Sequence, residues 1–224
     1  MTTPRRPLLR RRPRTVRRRR APEVARQEIL DAAERVFLEF QPDQVGLKDV
    51  AREAGVSHAL ITHYFGTYAG LIEAALERRI QKVREGLLER LREAGVLSRP
   101  LELIGLLFRA LEDPVHLRLT RWLLASERPG AAHAFALRSH GLQIIAHQIA
   151  STLAVRPTRE LIEKLELGLV TAAAAAYGYA IGRYAFAGAL GREASRELDA
   201  QVQRTLGEMV HAHLRAELEA MPKT

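Results

Sequence analysis

No cysteine occurs in this 224-residue chain. That absence excludes a disulfide framework, a thiol nucleophile and any cysteine-based metal site. Aromatic side chains are scarce at 5%, while hydrophobic residues of all kinds reach 47%. A core must therefore be assembled from Leu, Ala, Ile and Val, a composition that favours helices. Strand-type alternation and internal repeats are missing. No GxGxxG, P-loop, GxSxG, HExxH or HxExxC pattern is present, so neither enzymatic chemistry nor a cofactor is expected. Long apolar runs are missing too. The most apolar stretch, Leu167 to Gly182, is mostly Ala and Gly and is ended by Arg183. It falls short of the ~20 residues that span a bilayer. It reads as a helix apolar all round, buried in a soluble protein with no membrane partner. The N-terminus has charge but no apolar segment after it, so no secretory or export signal is expected.

Acidic residues are what the first twenty positions lack. They hold ten of the arginines and no Asp or Glu. The formal charge of +9 therefore belongs to this tail: the remainder carries twenty-five basic against twenty-six acidic residues. Residues 1–20 have no hydrophobic period, repel themselves, and are expected to be a disordered arm. Two readings stay open: a solvated extension, or a DNA arm in which Arg17, Arg18, Arg19 and Arg20 reach phosphates or a narrow minor groove.

What is present, from residue 22 onward, is helical periodicity. Pro22 to about Phe40 forms a first helix, with Ile29, Ala32, Ala33, Val36, Phe37 and Phe40 on its apolar stripe. Leu47–Ala54 and His58 to about Tyr64 are short second and third helices. Thr67 caps a fourth that runs to about Ala94. Further helices are expected from Pro100 to Glu112, from Pro114 to before Pro129, over about Ala131 to Leu153, from Pro157-Thr158 to about Leu190, and over about Glu193 to Glu219. The fold class is all-α. Helix eight is lined with small residues, and helix nine carries the row Leu198, Val202, Leu206, Met209, Val210, Leu214 and Leu218. Two such helices from each of two chains would form a four-helix bundle, or both rows would serve the chain's own core.

Residues 47–68, LKDVAREAGVSHALITHYFGTY, carry the functional signal. Gly55 breaks the first short helix as a tight turn requires, and Ser57 is a good N-cap for the next. Val50, Ala51, Val56, Ile61 and Phe65 can face inward, which leaves His58, Ala59, Thr62 and His63 outward. Two short helices about a Gly turn, one of them showing small and polar side chains, fit a helix-turn-helix reader of the DNA major groove. They also fit an ordinary helical hairpin.

The runs RQEILDAAERVFLEF and LKDVAREAGVSHALITHYFGTYAGLIEAAL, within residues 26–76, resemble the N-terminal domain of the TetR family of transcriptional regulators. After the arm over 1–20, the resemblance implies two parts: a helix-turn-helix DNA-binding domain over 21–68 and a helical effector-binding and dimerisation domain over 69–224. It implies a homodimer, joined through helices eight and nine, on a double-stranded operator with inverted-repeat symmetry. The base-reading face would be His58, Ala59, Leu60, Thr62 and His63, with Lys48 and Tyr64 on phosphate and Ser57 and Thr67 beside them. Gly46 stands where Ser or Thr commonly caps helix two, and Thr62 where an aromatic residue is common. Tyr68 replaces a common Lys, although its hydroxyl can still bond a phosphate.

The same resemblance implies a small-molecule effector pocket within helices four to eight. Its candidates here are Phe108, Arg118, Arg121, Trp122, Phe135, His140 and Tyr177. His133, His140 and His147 recur at seven-residue spacing, about 10.5 Å along one helix, too far apart to share a metal ion. The function so implied is a transcriptional regulator of a bacterial cytoplasm, a repressor associated with the nucleoid and released from its palindromic operator by a small-molecule effector. The alternatives are an effector-independent regulator, an activator, or a helical interaction protein whose Arg-rich tail docks an acidic partner or RNA.

Overall fold

A computed structural model describes residues 22–93, 95, 100–126, 141–153 and 156–219. Among them lie nine helices and no strand. The helices are α1 Pro22–Glu39, α2 Leu47–Ala54, α3 His58–Phe65, α4 Tyr68–Arg90, α5 Pro100–Glu112, α6 Pro114–Ala125, α7 Gly141–Leu153, α8 Arg159–Ala189 and α9 Arg196–Glu219. The fold is all-α, as the periodicity predicts.

Several starts are set by side chains that accept an otherwise orphaned backbone N–H. Asp113 Oδ1 takes the N–H groups of Val115 and His116 at 2.9 and 3.2 Å, with Pro114 as the first helical residue. Thr158 Oγ1 accepts from Leu161 at 3.2 Å. Ser195 Oγ accepts from Leu198 at 3.2 Å, so α9 starts at Arg196 rather than at the expected Glu193. Helix α4 ends at Arg90, short of the expected Ala94. The predicted span Ala131–Leu153 is described only from Gly141; its earlier part lies outside the described residues.

Three cores hold the helices together. The first joins α1 (Ile29, Leu30, Ala33, Val36, Phe37), α2 (Val50, Ala51), α3 (Ile61) and the start of α4 (Leu71, Ile72, Ala75, Leu76) to α6 (Val115, Leu119, Leu123). Helix α6 is therefore part of the core on which α2 and α3 sit. Phe40 is not: it is 46% exposed, because α1 ends one residue before it and the chain turns away. The second core lies where Leu91 meets α7 and the first turns of α8. The third lies among α5, the middle of α8 and α9.

Helix α8 departs from its expected burial. Only Leu161, Leu165, Ala172, Ala176 and Ala187 of its 31 residues are buried. Opposite them runs an exposed face made of Leu167, Val170, Thr171, Ala174, Ala175, Gly178, Ala185 and Ala189. These positions follow one side of the helix, with a seven-residue step from Gly178 to Ala185, and carry no charge over ~33 Å. The one hydroxyl among them, on Thr171, donates to the Leu167 carbonyl at 2.8 Å, back into its own helix. Among the described residues α8 is the helix long and apolar enough to cross a membrane. Helix α9 departs the other way. Leu198 is buried, Val202, Leu206 and Val210 pack on the third core and Leu214 on the second. That row serves the chain's own interior, with Met209 left 64% exposed; the Leu218 side chain lies outside the described residues.

Candidate nucleic-acid interface

The α2–α3 unit is shaped by local chemistry. Gly46, the N-cap of α2, has no side chain to offer. Its own N–H is instead accepted by Asp49 Oδ2 at 2.9 Å, so the missing hydroxyl is half replaced. Gly55 ends α2 at φ 65°, a left-handed conformation that glycine adopts without a Cβ penalty, and Val56 N–H closes the turn on the Ala51 carbonyl at 3.0 Å. Ser57 Oγ then accepts from Leu60 N–H at 3.2 Å and starts α3. Inside, Val50, Ala51 and Ile61 are buried, and Leu47, Ala54, Val56 and Phe65 pack against them.

A second close approach fixes the end of α3. Thr67 Oγ1 accepts from Gly70 N–H at 3.0 Å and caps α4. A Cβ at Gly70 would stand 2.2 Å from the Phe65 carbonyl oxygen. Only glycine lets the first turn of α4 come this near the last turn of α3.

His58, Ala59, Thr62 and His63 are all exposed, at spacings that place them on one side of α3. Ser57, Thr67 and Lys48 are exposed around them. Thr62 donates to the His58 carbonyl at 3.2 Å, and its oxygen can still accept. Two expected members sit differently. Leu60 and Tyr64 are half-buried and pack on the first core, and the Tyr64 ring meets the His63 ring edge-on at 5.3 Å. Tyr68 is a correction. Its O–H donates to the Pro42 carbonyl at 2.6 Å, which uses the proton that a phosphate would need. Burial, with Asp49 and Asp43 adding to it, pushes this phenol further above its ordinary pKa. Arg17 to Arg20 lie outside the described residues.

Sequence reasoning missed two things. Arg26 lies over the Phe65 ring at 5.4 Å, which puts a cation at the C-terminal end of α3 from 39 positions upstream. The acidic excess of the first helices is also reduced by partners from further along the chain. Arg78 pairs with Asp31 at 2.7 Å and with Glu34, and Arg79 pairs with Glu34 at 2.9 Å and with Asp113. Arg35 and Glu53 pair across α1 and α2 at 2.6 Å. No local signal announces contacts between residues so far apart in the chain.

The expected pocket residues that are described do not gather around one space. Arg118 donates to the Phe37 and Leu38 carbonyls at 2.9 and 2.7 Å, tying α6 to the end of α1. Arg121 donates to the Ala180 and Ile181 carbonyls at 3.2 and 3.3 Å, tying α6 to α8. Trp122 meets Tyr68 edge-on at 5.7 Å. Phe108 is buried in the third core, and Tyr177 packs against that core with its hydroxyl 2.7 Å from His116 Nε2. His116 is only 2% exposed and was not singled out from the sequence. Its burial lowers its pKa from 6.5 to about 4, with Asp113 opposing the shift and Arg79 adding to it. Phe135 and His140 lie outside the described residues. An open hollow of about 440 Å³ on α7 is lined, among the described residues, by Gln143, Ile144, His147, Gln148 and Ser151, none of them an expected pocket residue.

Comparison with known proteins bears on the α2–α3 unit. Residues 29–75 match the family described as bacterial regulatory proteins, tetR family. An uncharacterised HTH-type transcriptional regulator of Mycobacterium tuberculosis (strain H37Rv) is 36% identical over 64 residues, which cover 29% of this chain and 32% of that protein. The HTH-type transcriptional regulator BetI of Escherichia coli K12 is 32% identical over 68 residues, 30% of this chain and 35% of BetI. The chain thus spans about a third of the length of the curated relatives it matches. A candidate TetR-family transcriptional regulator from Mesorhizobium loti shares the fold, with a TM-score of 0.64 at 17% identity over 88% of this chain and 98% of the other.

Proposed function

Because the chain belongs, through its N-terminal helices, to the TetR family of bacterial regulatory proteins, we propose that it is a dimeric repressor. On this reading it binds a palindromic operator in the bacterial cytoplasm, at the nucleoid, and a small molecule releases it. The observation that carries the reading is the exposed face of α3, held at a fixed angle by Gly55, Ser57 and the Gly70 contact. His58 and His63 can donate to guanine N7 or O6, and Thr62 can reach a thymine methyl. Lys48 supplies a sequence-independent charge, and the arm of arginines supplies more.

Dimerisation is supported by the uncharged face of α8. Its small residues allow two helices to approach closely, and one face meeting its own copy satisfies two-fold symmetry. The opposite face of α8 is bonded to α6 and α9, which favours a place in a helical bundle over a place in lipid. Asp199 of α9 takes Arg183 at 2.7 and 2.8 Å and the Tyr179 hydroxyl at 2.8 Å. Release by an effector is supported by polar groups inside the α5–α6–α8 bundle: the His116–Tyr177 pair, and the Thr120 hydroxyl, buried without a hydrogen-bond partner. A ligand that preferred one separation of the two readers would shift that population and weaken operator binding.

Gel shifts with the full-length chain and the DNA flanking its own gene test the proposal. A sequence-specific, salt-sensitive complex is expected. Thr62→Ala or His63→Ala should change the preferred base at one half-site position, and Lys48→Ala should weaken binding to all sequences alike. Absence of any specific shift would instead favour a helical interaction protein whose arginine tail engages an acidic partner.

A further inference from the structure

Tyr68 stands first in α4, half-buried, with its hydroxyl and its ring both engaged at the seam between the α2–α3 unit and the helices behind it. Its O–H donates to the Pro42 carbonyl at 2.6 Å. Its ring lies 6.3 Å from that of Phe37 in α1 and 5.7 Å from that of Trp122 in α6, the latter edge-on at 79°. One turn before Trp122, Arg118 donates to the carbonyls of Phe37 and Leu38. Both grips end on residues 37–42, the last turn of α1 and the loop that feeds α2. A planar ring packed against two others and fixed at its tip by a short hydrogen bond resists rotation in a way that an aliphatic or flexible cationic side chain does not.

We propose that Tyr68 is a positioning residue that sets the angle of the α2–α3 unit against α6, and thereby the separation of the two reading helices in the dimer. This rests on the dimeric DNA-binding function proposed above. The mechanism is geometric. The Tyr68 hydroxyl is spent on the Pro42 carbonyl, while His58, Ala59, Thr62 and His63 of α3 are exposed, so the choice of bases belongs to α3. The distance between one α3 and its copy depends on how rigidly each reading unit is referenced to the helices that dimerise. Loss of the Tyr68–Pro42 bond frees the loop before α2 to move without altering any exposed group on α3.

Half-site spacing is the readout that separates positioning from simple stability. A half-site sequence is first selected from random duplex DNA with the full-length wild-type chain. Binding is then measured to palindromes with the selected spacing and with one base pair added or removed, a change of about 3.4 Å along the axis and about 34° around it. Wild type should discriminate sharply between spacings. Tyr68→Phe, which removes only the hydroxyl, should keep the half-site preference while its discrimination between spacings falls about fivefold, the weight of one neutral hydrogen bond. Tyr68→Leu, which also removes the ring, should flatten the profile further. An unchanged profile in both variants would overturn the proposal. So would an equal loss of affinity at every spacing, because that is what a merely structural residue gives. A wild-type chain with no preferred spacing at all would overturn the dimeric reading itself.

Discussion

Two glycines in the same helix should respond to the same substitution with opposite signs. Helix propensity alone predicts that Gly→Ala in α4 stabilises the chain by up to ~1 kcal/mol. At Gly86 a new Cβ meets nothing within 4 Å, and that gain should be realised. At Gly70 the Cβ would lie 2.2 Å from the Phe65 carbonyl oxygen. An ordinary carbon–oxygen contact is ~3.3 Å or more, so backbone must move by about 1 Å, and no flexible side chain can yield instead. Overpacking of this kind costs ~1–3 kcal/mol, which exceeds the propensity gain. Gly70→Ala should therefore lower Tm by roughly 2–4 °C per kcal/mol lost, while Gly86→Ala raises it. The displaced atoms belong to the last turn of α3, so Gly70→Ala should also weaken operator binding and Gly86→Ala should not. Differential scanning calorimetry with parallel gel shifts reads both effects. Equal stabilisation by the two substitutions would refute the close approach of α3 and α4.

Ala174→Glu places a charge in the middle of the uncharged α8 face and should convert the proposed dimer to monomer in sedimentation velocity, because the carboxylate would have to leave water without a partner. A dimer of unchanged Kd would move the interface elsewhere. Deletion of residues 1–20 should lower operator affinity and flatten its salt dependence, each lost phosphate contact removing about 0.9 from the log–log slope; an unchanged slope would make the arm a passenger. His116 provides a pH test. Its folded pKa of about 4 lies below its ordinary 6.5, so between those values the unfolded chain binds a proton that the native chain does not. Stability from this residue is complete above pH 6.5 and is lost as pH falls toward 4, by on the order of 3 kcal/mol. Urea unfolding at pH 7.5 and 4.5 should show a pH difference that shrinks in His116→Gln, and an equal difference in the variant would remove the assignment.

The parts of this structure that were legible in the sequence are those governed by neighbours in the chain. Gly55, Ser57 and Thr67 act within a turn of their own positions, and the bounds of α2 and the start of α3 follow from them. The apolar stripe of α1 is legible because Ile29, Val36 and Phe37 contrast with the charged residues between them. Helix α8 offers no such contrast: a run of Ala and Gly looks alike from every side, so its buried and exposed faces could not be told apart. The acceptors of Arg118 and Arg121 are main-chain carbonyls, which every residue carries and which leave no mark in a sequence. The His116–Tyr177 bond joins residues 61 positions apart, and only the packing of α6 on α8 brings them together.

The grips of Arg118 and Arg121 have a consequence for how this protein can change over time. Each arginine holds main-chain oxygen, so neither depends on which side chains occupy positions 37, 38, 180 or 181. Mutations there can reshape α1 or α8 while the attachment of α6 to both survives. A chain built in this way can change the surfaces of α1 and α8 without first losing the connection between its halves.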